Sequence, residues 1–293
     1  MIRLIFLFAI VFEPLLLQAH DFSSSVDKAV AAIDMEQWYE DTKQLASFNR
    51  FYRSPEINLA RDWLVEKFSG IGLTTSIEEI TIRGQAGFNV VAEISGRDPN
   101  DIYLVGAHYD SISEKAHDRA PGAEDNASGT AGLLALARAF MAEPEPKSRI
   151  RFVAFSGEEA GLHGSKAHVA NIFARREQDK IKEVLIMDMI GYTSDDDLDA
   201  LIETSSSQQN LVDLLRSSAN KYSQGRIETS FNYWGSDHVP FINNGFSAAL
   251  LIENDYNEYP HYHRSTDVPA NLRKEMAEVI LKMIAGALGY WVL

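Results

Sequence analysis

Four stretches of this chain, DIYLVGAH (101–108), RIRFVAFSG (149–157), EVLIMDMIG (183–191) and SAALLIEN (247–254), are nearly unbroken apolar runs. A strand with one wet face alternates apolar and polar residues, whereas a near-continuous apolar strand has both faces covered, the condition of parallel strands flanked by helices. Segments with the helical spacing of apolar residues lie between and around them, including SGTAGLLALARAF (128–140), SKAHVANIFARR (165–176) and QNLVDLLRSSANKY (209–222). TSIEEITI (75–82), GFNVVAEISG (87–96) and LDALIETS (198–205) add three shorter strands, and 223–246 reads as a loop. Two amphipathic helices are expected ahead of the strands, over 26–47 and 54–72, and one over 270–291 closes the chain. No repeat, low-complexity stretch or linker interrupts the alternation. The expected architecture is an α/β/α sandwich around a central mixed, mostly parallel sheet, formed by residues 20–293 as a single domain.

Residues 1–19 carry Arg3, an apolar stretch broken by Glu13 and Pro14, and Ala19 ahead of the polar HDFSSS. That pattern reads as a signal peptide and predicts export to a periplasm or beyond; the other readings are an uncleaved anchor or a buried apolar helix. No stable membrane span is expected after residue 19, and the mature chain is expected to be a monomer. The chain has no cysteine, which excludes thiolate nucleophiles and thiolate metal sites, so a metal would have to be held by His, Asp and Glu. A net charge of −15 repels phosphate backbones and argues against a nucleic-acid partner.

Polar residues gather where the apolar runs end, the edge at which open α/β sheets place ligands. His108 and Asp110 follow the first run, Glu158 and Glu159 the second, Asp188 interrupts the third, and YPHYHRSTD (259–267) comes after the fourth. Asp125 lies in GAEDNASG (122–129), a glycine-flanked bend ahead of a helix. Imidazole and carboxylate suit zinc and other divalent cations, and two such ions about 3.5–4 Å apart need a bridging carboxylate. Asp125 is the candidate bridge, His108 with Asp188 would complete one site, and Glu159 with His263 the other. Glu158 remains to carry a proton from water to a leaving amine. Asp110 would take the second ring N–H of His108 and fix its tautomer.

Each residue also has an ordinary reading. Asp125, Asn126 and Ser128 could cap the following helix, Glu158 and Glu159 could complement a helix dipole, and His108 could be a satisfied core histidine. Asp188 is hardest to explain that way, because a lone carboxylate in an apolar run is costly to bury without a partner. Asp267 could orient His263 or cap the last helix, and the cap is favoured.

GAHYDS, PGAEDNASG, SGEEAGLHGS, MDMIGY, GSDH and YHRSTD, in this order, resemble the zinc-dependent aminopeptidases typified by bacterial leucyl aminopeptidase, and the related glutaminyl-peptide cyclotransferases. NRFYRSPEINLARDWL (49–64) resembles the family's early helical region. The resemblance implies a zinc exopeptidase fold and two zinc ions, one on His108, Asp125 and Asp188, the other on Asp125, Glu159 and His263. It also implies Glu158 as general base and acid, Asp110 as the acid behind His108, Tyr262 as a hydrogen-bond donor to the tetrahedral intermediate, and a cis peptide after Asp125. The expected substrate is a peptide or protein with a free amino terminus, cut at its first peptide bond. Glutaminyl cyclisation and a non-catalytic binding protein on the same fold are the alternatives.

Overall fold

The computed structural model describes residues 20–195 and 197–293. The signal-peptide reading of residues 1–19 falls outside them.

Helices α1 (Ser24–Ala31), α2 (Met35–Ala46) and α3 (Glu56–Ile71) come first. The single helix expected over 26–47 is broken, because the Asp34 carboxylate accepts from the N–H groups of Glu36 and Gln37 at 3.0 Å and starts α2 anew. Hairpin β1 (Thr74–Ile82) and β2 (Gln85–Ile94) leads to β3 (Asp98–His108), α4 (Gly129–Met141) and β4 (Ser148–Phe155). Then follow α5 (His163–Ala174), β5 (Ile181–Met187), β6 (Asp199–Thr204) and α6 (Gln209–Tyr222). The stretch read as a loop contains β7 (Arg226–Ser230) and α7 (His238–Asn243), both too short to show a period. β8 (Ala248–Glu253) and α8 (Lys274–Val292) complete the chain, α8 starting later than expected because 269–271 form a separate 3-10 turn.

Among the described residues, eight strands join one sheet in the order β1-β2-β4-β3-β5-β8-β6-β7. β4, β3, β5 and β8, the four apolar runs, form its parallel centre. β1 and β2 extend one edge antiparallel; β6 adds antiparallel to β8, and β7 parallel to β6. Both faces are covered, as those runs require. Ile150, Phe152 and Ala154 of β4 enter one core with Leu134, Phe140 and Ile280, while Val153 and Phe155 enter the opposite core with Val169, Ile172 and Phe241.

From β3 the chain crosses through α4 to β4 on one side, then through α5 to β5 on the other side of β3. That reversal opens a crevice at the carboxyl ends of β3 and β5, where an open α/β sheet presents its functional groups.

Candidate metal centre

His108 is the last residue of β3 and is buried. Its Nδ1 lies 3.1 Å from the Asp110 carbonyl oxygen, which can only accept, so Nδ1 carries a proton and Nε2 is the atom turned to the crevice. The Asp110 carboxylate, expected to be that acceptor, is 3.7 Å from Nδ1. The chain bends directly after β3, which brings the Asp110 carbonyl back to the ring, and the carboxylate instead accepts from Glu158 N–H at 3.1 Å. Asp110 thus ties the bend after β3 to the bend after β4.

Asp188 follows β5, with Oδ1 3.2 Å from His108 Nε2 and Oδ2 accepting from Ser236 Oγ at 2.6 Å. Ser236 was legible only within the GSDH motif, with no role attached.

Asp125 sits in the turn 123–128, its peptide bond to Asn126 cis as the resemblance implied. Gly122 opens that turn at φ +47°, where a Cβ would lie 2.3 Å from the Asp125 carbonyl oxygen, so glycine is required. The Asp267 carboxylate accepts from the N–H groups of Glu124 at 2.9 Å and Asp125 at 3.1 Å, and from Tyr259 Oη at 2.5 Å. It caps the Asp125 turn, neither orienting His263 nor starting α8. Asn126 ties the turn to the end of β5, donating from Nδ2 to the Met187 carbonyl at 2.9 Å and accepting at Oδ1 from Gly129 N–H at 2.9 Å and Met189 N–H at 3.3 Å. Beneath it the buried Arg50 guanidinium donates to the carbonyls of Leu45, Tyr109, Pro121 and Gly122 at 2.6–2.7 Å. Arg50 was missed, since nothing in sequence separates a buried arginine from an exposed one.

Held in this way, Asp125 faces two histidines at once. Oδ1 lies 3.2 Å from His108 Nε2, and Oδ2 lies 3.1 Å from His263 Nε2. Glu159 Oε2 is a further 3.1 Å from the same His263 nitrogen. His108, Asp125 and Asp188 therefore form one cluster, and Asp125, Glu159 and His263 a second, with each cluster's donor atoms within 4.8 Å of one another. Glu158 and Tyr262 line the same cavity of about 240 Å³. Tyr262 stacks on His263 with ring centroids 3.8 Å apart. All eight residues singled out in sequence meet at this place.

Residues 89–288 match the family described as Peptidase family M28. The chain belongs to peptidase family M28. Among curated M28-like relatives, it is 30% identical over 285 residues to leucine aminopeptidase 1 of Trichophyton equinum, covering 90% of this chain and 76% of that one. The fold matches the LapA aminopeptidase of Legionella pneumophila with a TM-score of 0.80, at 23% identity over 93% of this chain and 76% of that one. It is also similar to BSAP, a zinc aminopeptidase from Bacillus subtilis, with TM-score 0.63 and 30% identity over 71% of this chain and 51% of that one. A glutaminyl cyclase of Fimbriiglobus ruber shares the fold with TM-score 0.73, at 19% identity over 88% of this chain and 97% of that one.

The electrostatics of this M28 site are those of a cation receptor. Burial works against a charged His263, yet hydrogen bonds to Asp125 and Glu159 push its pKa up to about 10. His108 is likewise buried and likewise raised, by Asp188 and Asp125. Burial also opposes the Asp125 charge, but contacts with both histidines hold its carboxyl well below the usual range. Glu159 is pushed up to about 8 by burial and by Asp125 beside it, and its Oε1 is buried with no hydrogen-bond partner among the described residues. Protons collect on the imidazoles because the carboxylates outnumber the cations around them. Divalent ions would answer the same surplus, and nitrogen and oxygen donors without sulfur suit zinc among other divalent metals. Each of the two clusters offers a donor set of that kind.

Glu158 is raised well above the ordinary carboxylate range by burial and by Asp237, Asp188 and Glu159, against the pull of His108. A raised proton affinity in a cleft marks a group suited to receive and return a proton.

Proposed function

We propose that this M28 peptidase is a zinc aminopeptidase that hydrolyses the first peptide bond of peptides and proteins with a free amino terminus. The observation that carries the reading is the division of Asp125 between two histidine-containing clusters, one oxygen at 3.2 Å and the other at 3.1 Å. His108, Asp125 and Asp188 would hold one ion; Asp125, Glu159 and His263 would hold the second. When bound, such ions polarise a carbonyl and lower the pKa of water.

The residues of the chain do the rest. Asp110, fastened to Glu158 N–H, holds the general base at the mouth of the cavity. Glu158 receives a proton from the attacking water and delivers it to the leaving amine, the task its buried, acid-rich surroundings favour. Burial and the neighbouring carboxylates keep Tyr262 protonated, so its hydroxyl is a donor for the developing oxyanion. Surplus negative charge attracts the substrate ammonium, which favours trimming chain ends over internal cleavage. Residues 1–19 support export as a signal peptide.

Hydrolysis of amino-acid p-nitroanilides by protein with counted zinc tests the reading. Release of nitroaniline that a chelator abolishes and zinc restores is the expected result. Cyclisation of an amino-terminal glutamine peptide without anilide hydrolysis would favour the cyclotransferase alternative, consistent with the shared fold. Full zinc content with neither activity would favour a binding protein.

A further inference from the structure

The cavity beside the candidate metal centre reaches from Asp188 and Glu159 to Glu203. Met189, Leu250 and Ile252 supply its apolar wall, and Trp234, Tyr256 and Tyr259 its aromatic one. Ile252 and Leu250 point to the same face two residues apart on β8, a step of about 6.8 Å away from the metal centre. Glu203, on β6, pairs directly with Leu250 and lines the cavity at that depth. It is 4% exposed, and its Oε2 has no hydrogen-bond partner among the described residues. The backbone N–H of Trp234 favours the charged form of that carboxylate.

A pocket for a leucine side chain needs no carboxylate, and burying one without a cation is costly. A side chain that brings its own cation removes that cost. Methylenes would cover Met189, Ile252 and Leu250 on the way down, and the aromatic wall attracts a cation through its ring faces. Resting on the aminopeptidase reading, we propose that Glu203 makes this cavity select an amino-terminal lysine or arginine. The carboxylate pairs with the side-chain cation where Glu203 lines the cavity.

The test compares kcat/KM for lysine, arginine and leucine p-nitroanilides on the zinc-loaded wild type and on Glu203→Gln and Glu203→Asp. Wild type is expected to favour lysine or arginine over leucine by at least about 10-fold, since a polar group left unpaired in a pocket penalises the wrong side chain. Glu203→Gln should lower kcat/KM for the basic substrates by about 10-fold or more, chiefly through KM, while sparing leucine and zinc content. Glu203→Asp should restore part of the preference, most of it for the longer arginine. Calorimetry with the free amino acids gives a second readout: lysine should bind wild type more tightly than leucine does, and lose that margin in Glu203→Gln. A wild type that prefers leucine, or a Glu203→Gln that slows all three substrates equally, would overturn the assignment while leaving the aminopeptidase reading intact. Hydrolysis of none of the three would overturn both.

Discussion

Two buried histidines of this chain touch carboxylates at hydrogen-bonding distance, and only one belongs to the candidate metal centre. His168 on α5 places Nδ1 2.7 Å from Glu78 Oε2, and Arg175 completes the group with Nη2 3.0 Å from Glu78 Oε1. His108 is as fully buried, but its Nε2 faces Asp125 and Asp188 together at 3.2 Å, with Asp110 behind the ring at 3.7 Å. One carboxylate with an imidazole and a guanidinium leaves no demand for a further cation. Three carboxylates around a single imidazole leave a deficit of positive charge that protons or metal ions must meet. Burial and contact distance do not separate a candidate ligand histidine from a core histidine; the local sum of charges does.

Removing the shared acid breaks the contrast hardest. Asp125→Ala should reduce bound zinc from two ions per chain to fewer than one and abolish hydrolysis, read by metal counting and anilide assay; two retained ions would refute the bridging role. Glu158→Gln comes next, keeping both ions and lowering kcat by roughly 10²–10⁴, the range for loss of a general base. Unchanged turnover in that variant would remove Glu158 from the chemistry. Glu78→Ala should do the reverse of both, leaving zinc content and kcat near wild type but costing on the order of 3 kcal/mol in urea unfolding, because it strands a buried histidine and a guanidinium. The smallest effect sharpens the comparison through pH. Burial opposes the Glu78 charge, but His168 and Arg175 hold its carboxyl below the ordinary 4.5. The folded value lies below the unfolded one, so Glu78 contributes stability that is fully present above about pH 4.5 and is lost as pH falls through the folded value. The same titration of Glu78→Gln should lack that component, and identical acid unfolding of the two proteins would count against it.

Much of this was legible because burial on both faces leaves a mark in sequence. The four apolar runs became the four central parallel strands, and the polar residues at their ends became one site. What escaped lacks such a mark. β7 has five residues and α7 six, too few to show a period. The break before α2 depends on Asp34 turning its carboxylate to two N–H groups, a choice that apolar spacing does not record. Asp110, Asp267 and Ser236 act through a few hydrogen bonds each, and their partners are set by loops whose course the fold decides. Glu203 stood unremarked inside the strand LDALIETS, since its partner strand, and so its place in the cavity, follows from the β8-β6 pairing.

Arg50 and Trp38 carry a consequence for where this catalytic unit begins. The family match starts at residue 89, and every ligand of the candidate centre lies beyond it. Yet the guanidinium that gathers Leu45, Tyr109, Pro121 and Gly122 comes from residue 50, and Trp38 Nε1 donates to the Ser128 carbonyl at the end of the same turn at 2.9 Å. A chain trimmed to 89–288 would retain each candidate ligand in its sequence and lose the two side chains that splint the Asp125 turn. The opening segment thus helps to hold the candidate centre, although none of the candidate ligands comes from it.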